Sequence, residues 1–137
     1  MIDSNERVLK LYNEYNSCLY REKVFEMWLN LSLRGICICD FFVMNSLKDI
    51  IVYGYGRIGR LLCGEIKKHK KLRVVAAIDR NADLLMGSVP IIQPDEIIPK
   101  HDVMIVTIED FNYVMGLMKE KSNNIVSLTE LIRGYGL

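Results

Sequence analysis

No apolar run in this chain is long enough to cross a membrane. The best candidate, Ile36 to Met44, is short and carries Asp40. The opening stretch, MIDSNERVLK, lacks the apolar core of a signal peptide. Excess charge is missing too: 18 Lys and Arg against 17 Asp and Glu leave a net +1. That balance gives no support to a nucleic acid or polyanion partner. The four cysteines, Cys18, Cys37, Cys39 and Cys63, form no C-x-x-C. Cys37 and Cys39 are two apart, which a helix would place on different sides. They read as small buried apolar residues in a reducing cytoplasm. The two histidines, His69 and His101, fall in polar turns, and no metal-ligand set is visible. What these absences leave is a cytoplasmic globular chain. With 137 residues, 50% of them hydrophobic, it can bury a substantial core.

One stretch organises the rest. Ile50-Ile51-Val52-Tyr53 is a short apolar, β-branched run, and Gly54-Tyr55-Gly56-Arg57-Ile58-Gly59 follows at once. A helical pattern then begins, with Ile58, Leu61, Leu62 and Ile66 on one stripe. Strand, glycine turn and helix form the context in which G-x-G-x-x-G carries meaning. Gly54 allows the tight turn, Gly56 lets a pyrophosphate approach the backbone, and Gly59 lets the helix pack close to the sheet. Free N–H groups and the positive dipole end at the helix start suit a phosphate. Arg73 to Ile78 reads as a second buried strand ending in Asp79, 20 residues past Gly59. That is the spacing at which a carboxylate takes the ribose hydroxyls of a dinucleotide. The competing reading is a fold that keeps the turn for packing and binds nothing.

The N-terminal third is helical. Val8, Leu11, Tyr12, Tyr15, Leu19, Val24, Met27 and Trp28 recur at helical spacing over residues 5–31, with Ser4 as N-cap. A second helix is expected from Ile36 to Met44. Lys67, Lys68, Lys70 and Lys71 surround His69 where a helix ends, which favours the dipole. Ser88-Val89-Pro90-Ile91-Ile92 reads as a short extended piece, and a brief helix is expected from Pro94 to Ile98. Val103 to Thr107 is the strongest later strand. Asp110 caps a helix from Phe111 to Lys121, Ile125 to Leu128 is a fifth strand, and Thr129 opens a last helical turn. Alternating strands and helices imply a parallel Rossmann-like sheet with right-handed crossovers and strand order 3-2-1-4-5. Residues 1–46 then form a helical extension and residues 47–137 the nucleotide-binding domain. The ligand crevice belongs beyond the carboxyl ends of the strands, where the order reverses. Thr107 reaches that edge, as a ligand contact or as a hydroxyl capping its own strand.

Four elements carry a family resemblance: Val52 to Gly59; Val75-Ala76-Ala77-Ile78-Asp79-Arg80-Asn81; Gly87-Ser88-Val89-Pro90-Ile91; and Asp102 to Thr107. Over residues 48–132 they resemble the nucleotide-binding domains of bacterial surface-polysaccharide proteins. These include the N-terminal domain of membrane-bound nucleotide-sugar dehydratases and epimerases of capsule synthesis. The small Rossmann domains beside glycosyltransferases and at the head of sugar-modifying acyltransferases are also similar. The resemblance implies a cytoplasmic domain binding NAD(P) or a nucleotide-sugar, and does not imply catalysis. Gly54 to Arg60 also resembles the turn of regulator-of-potassium-conductance and Trk-type domains, which bind NAD or adenine nucleotides and gate transport. Ser88 to Ile92 stands where that family tends to carry a Gly-Asp pair.

Catalytic equipment is thin. A short-chain dehydrogenase or sugar epimerase needs Y-x-x-x-K, because the ammonium lowers the phenol pKa. Tyr113 is followed four later by Leu117, Tyr53 by Arg57 and Tyr20 by Val24. The chain alone therefore reads as a binding module. Its expected cofactor site is Gly54, Tyr55, Gly56, Arg57, Ile58, Gly59, Asp79, Arg80 and Thr107. Asp79 favours NAD, since a carboxylate repels a 2′-phosphate, whereas Arg80 can accommodate NADP. Arg57 has two readings: a contact to base or phosphate, or an exposed helix-start arginine. The aromatic helices at the N-terminus predict packing on the sheet, across a homodimer or against a partner domain.

Overall fold

The computed structural model describes residues 3–135. Its centre is a five-stranded, all-parallel sheet in the order β3-β2-β1-β4-β5. The strands are β1 (Asp49–Tyr53), β2 (Arg73–Ile78), β3 (Ile91–Ile92), β4 (Val103–Val106) and β5 (Ile125–Ser127). The order reverses between β1 and β4, as a doubly wound Rossmann-like fold requires. Strand alternation sorts the core in two. Ile50, Val52, Val103 and Ile105 face one layer, while Ile51, Tyr53, Met104 and Val106 face the other.

The first face carries most of the helices: α1 (Ser4–Leu33), α2 (Cys39–Met44), α3 (Arg57–Lys67) and α5 (Leu128–Arg133). Val24, Trp28, Leu31, Phe42, Leu62, Ile66 and Ile132 fill that layer. The second face is covered by α4 (Phe111–Met118) through Val114 and Met118. The N-terminal edge of the sheet is tied by Asp102, whose carboxylate accepts from Lys48 N at 2.8 Å and Asp49 N at 2.9 Å. These two backbone donors hold the exposed Asp102 carboxyl below its ordinary pKa.

Several expected boundaries move, each for a local reason. Asp3 rather than Ser4 caps α1, accepting from Glu6 N at 2.8 Å. The second helix begins only at Cys39. The helix expected from Pro94 to Ile98 is a turn, with Glu96 N donating to Gln93 O at 3.1 Å. Pro99 follows Ile98 and disfavours helical backbone there. The helix after Asp110 ends at Met118, because Lys121 N and Ser122 N both turn back to Met118 O. Asp110 does cap it, accepting from Tyr113 N. The last strand stops at Ser127, whose side chain caps α5.

The largest difference lies in α1. Its apolar residues do not form one stripe. The five-residue step from Leu19 to Val24 rotates the pattern by about 140°. Val24, Trp28 and Leu31 are buried, whereas Val8, Leu11, Tyr12, Tyr15 and Leu19 are exposed on the opposite side. Leu29 and Leu33 continue that outer stripe and are exposed as well. Among the described residues, no helix is long and apolar enough to cross a membrane.

Candidate functional site

The turn between β1 and α3 is built from close approaches. Gly54 has φ +97°, a conformation that favours glycine. A Cβ there would lie 2.6 Å from Thr107 Oγ1. A Cβ on Gly59 would lie 1.8 Å from Gly54 O, so the first turn of α3 sits directly on the loop. Thr107 is buried and donates its hydroxyl to Tyr53 O (2.9 Å) and Gly54 O (3.1 Å). Its side chain is thereby committed to bracing the turn, although the residue also lines the cleft beside it.

Gly56 differs from its two partners. A Cβ built on it meets nothing within 4 Å, so the space above its backbone is open. Gly56 is the N-cap of α3, and it brings no capping side chain. The first amides of α3 therefore point to a surface that a phosphate can reach. Arg57 and Arg60 are exposed beside it, while Ile58 is buried in the core. Tyr55 is also buried: its ring enters the core and lies against Gly87, where a Cβ would come within 2.2 Å of the phenol oxygen. Of the expected cofactor residues, Tyr55 and Ile58 thus offer backbone rather than side chain to the turn's outer face.

Asp79 closes β2 as the spacing predicts. Oδ2 accepts from Tyr55 N at 2.8 Å and Oδ1 from Asn81 N at 2.8 Å. The carboxylate therefore ties the end of β2 to the glycine loop. Each oxygen keeps lone-pair capacity for a further donor such as a ribose hydroxyl. Asp79 and the exposed Arg80 line a small hollow of about 130 Å³ with Tyr53, Asn81 and Tyr113.

On the other side of the turn lies a cleft of about 420 Å³, between the β1 and β4 loops where strand order reverses. That volume is within the range of small-molecule sites, about 300–1,000 Å³. Ile108 lines both spaces. Arg57, Arg60 and Arg21 bring positive charge to the cleft, and Glu109 brings the opposing carboxylate. A larger hollow of about 560 Å³ runs along the first half of α1, but it is lined by α1 alone and has no facing wall.

The outer wall of the cleft is the part that sequence reasoning missed. Ser17, Tyr20 and Arg21 of α1 supply it. Tyr20 donates to Thr107 O at 3.4 Å, bridging α1 to the end of β4. Burial, and after it the Glu109 carboxylate, raises the Tyr20 phenol above its ordinary pKa. Trp28 Nε1 donates to Glu65 Oε2 at 3.2 Å and fixes α1 along α3. No local signal near Tyr20 marks these contacts, because the partner is 87 residues away.

A second grouping also escapes the sequence pattern. Cys37, Cys39 and His69 present ligand atoms within 4.8 Å of one another, where no metal-ligand set was expected. Cys37 precedes α2 instead of lying within it, so the two cysteines are not forced to opposite sides.

No protein-family model matches the chain, and no curated protein or solved structure matches it.

Proposed function

We propose that this chain binds NAD, or a nucleotide of related shape such as NADP or a nucleotide-sugar, across the turn between β1 and α3. The reading extends to its role: an accessory or regulatory module of bacterial polysaccharide and nucleotide-sugar metabolism, acting in the cytoplasm. The observation that carries the ligand assignment is the contrast among three glycines. Gly54 and Gly59 are filled by neighbouring atoms, and Gly56 opens onto free space at an uncapped helix start. The reading is supported by the Asp79 carboxylate, which ends β2 against the glycine loop and has capacity to accept from a ribose, and by Arg21, Arg57 and Arg60, which bring positive charge to the cleft. The bound group would bring its own chemistry or signal. This chain's residues would hold the pyrophosphate on backbone amides and orient the ribose. Catalysis is assigned to a partner, since no Y-x-x-x-K is present.

A second reading rests on Gly54 to Arg60, which resembles the turn of potassium-transport regulators. There the same site would sense NAD or adenine nucleotide and act on a transport protein. A fold that binds no nucleotide and only mediates contacts is the third outcome. A thermal-shift panel with NAD, NADH, NADP, AMP and UDP-sugars separates binding from non-binding, because a ligand of the folded state raises the melting point. NAD is expected to give the larger shift over NADP. No shift with any of the five would remove the proposal. Genes neighbouring this one distinguish polysaccharide synthesis from potassium transport.

The outer stripe of α1 supports a further assignment, to pairing with a second copy of the chain. Val8, Leu11, Tyr12, Tyr15 and Leu19 are each at least 45% exposed and lie opposite the face packed on the sheet. Light scattering is expected to report a dimer for the wild type and a monomer for Tyr12→Glu/Tyr15→Glu, with the melting point of the monomeric unit preserved. A monomeric wild type would exclude the pairing.

A further inference from the structure

At the far end of α3 from the glycine turn, three soft ligands converge. Cys37 lies in the connector between α1 and α2, Cys39 opens α2, and His69 lies just beyond the end of α3. All three ligand atoms fall within 4.8 Å of one another. Cys37 Sγ is 3.6 Å from His69 Nε2. Two ligands on one tetrahedral zinc, at metal–sulfur about 2.3 Å and metal–nitrogen about 2.0–2.1 Å, stand about 3.6 Å apart. The Cys37–His69 pair already has that separation. Cys37 and His69 are half-buried, so the cluster lies near the surface.

The other cysteines make the comparison. Cys18 is exposed on α1 and belongs to no such cluster. Cys63 is buried within α3, and burial pushes its thiol up to about 11. It has the surroundings of a packing residue. Cys37 and Cys39 instead face each other and an imidazole.

We propose that Cys37, Cys39 and His69 form a binding site for a thiophilic closed-shell metal ion, Zn²⁺ or Cu⁺. Two thiolates and one neutral imidazole suit both ions. On Zn²⁺ the set leaves a fourth position for water, and on Cu⁺ it is complete as a three-coordinate site. The two thiols lose their protons to buffer as the metal binds, so the Zn²⁺ charge is neutralised by the two sulfurs. The ion would join the connector after α1 to the end of α3, fastening the helical extension to the sheet domain. This assignment is independent of the nucleotide reading.

The test uses the full chain, stripped with a chelator and kept under a phosphine reductant. Co²⁺ titration is expected to give a stoichiometric thiolate-to-cobalt charge-transfer band, and Zn²⁺ to displace it. Cys37→Ser and His69→Gln change half-buried positions. Each is expected to weaken binding by about a hundredfold or more. Cys18→Ser should leave affinity unchanged. Competition against a zinc chelator and against bicinchoninate identifies which ion is held more tightly, and tight binding of either supports the site. X-ray absorption of the loaded wild type gives a readout that does not depend on any variant, with two sulfur ligands and one nitrogen expected on Cu⁺ and an added water oxygen on Zn²⁺. Failure to bind both Zn²⁺ and Cu⁺ tightly, unchanged affinity in His69→Gln, or an all-oxygen-and-nitrogen shell would overturn the assignment.

Discussion

The two ends of α3 present functional groups in different ways. At its start, a single stretch from Tyr53 to Arg60 makes the surface, and the groups offered are backbone amides beside the open Gly56. Beyond its end, the groups are side chains brought from two places, Cys37 and Cys39 from the helical extension and His69 from the loop before β2. The first arrangement is fixed by local stereochemistry and is written contiguously. The second exists only because Trp28, Leu31, Ile38 and Phe42 pack the extension into the same core as Ile66 and Leu72. A turn can therefore be read from eight contiguous residues, while a cluster has to await the tertiary fold.

The sharpest way to break the first arrangement is Gly59→Val. Its Cβ would overlap Gly54 O, a backbone atom that cannot swing aside. The expected loss of stability is about 3 kcal/mol or more, measured by urea denaturation. A variant as stable as wild type would mean that α3 does not sit on the glycine loop as described.

A smaller effect separates the two roles of Asp79. Asp79→Ala removes the acceptor for Tyr55 N and Asn81 N as well as the ribose partner. NAD affinity is expected to fall by about tenfold, corresponding to about 1.4 kcal/mol, and the preference over NADP to narrow. Wild type that binds NADP more tightly than NAD would show that Arg80 governs the choice.

The smallest effect is at the opposite edge of the sheet. Asp102 binds two backbone amides as a carboxylate, and its pKa lies below the ordinary value. A lowered folded-state pKa contributes stability above the unfolded pKa, and that contribution is lost as pH falls through the folded one. Asp102→Asn should therefore lower the melting point slightly near neutral pH, and the gap to wild type should close in acid. A gap that is constant with pH would assign the effect to packing instead of charge.

These contrasts explain what could be read in advance. Ile50 to Tyr53, Val103 to Val106 and the acid at Asp79 are local patterns, and the parallel order 3-2-1-4-5 follows from their alternation with helices. The edge strand at Ile91–Ile92 was visible through its apolar pair after Pro90, and it pairs with Ala77 and Ile78. Thr107 was correctly placed at the strand end, but its hydrogen bonds to Tyr53 and Gly54 depend on a turn 53 and 54 residues earlier. The two faces of α1 were merged because three- and four-residue spacing continues on either side of the Leu19–Val24 step, and only the docked structure separates them. Tyr20 and Arg21 could not be assigned to the cleft, since nothing in α1 itself records which loop it crosses.

The central claim is that the open face of Gly56 receives the phosphates of a nucleotide. It is tested most directly by calorimetric titration of NAD into wild type and into Gly56→Val, with circular dichroism confirming that both are folded. Gly56 has no neighbour within 4 Å of an added Cβ, so the valine is accommodated without a clash and the fold is kept, at the small stability cost of a poorer N-cap. Saturable binding to wild type and none to the folded variant is the expected result; equal affinity in the two proteins, or no binding to wild type, would contradict it.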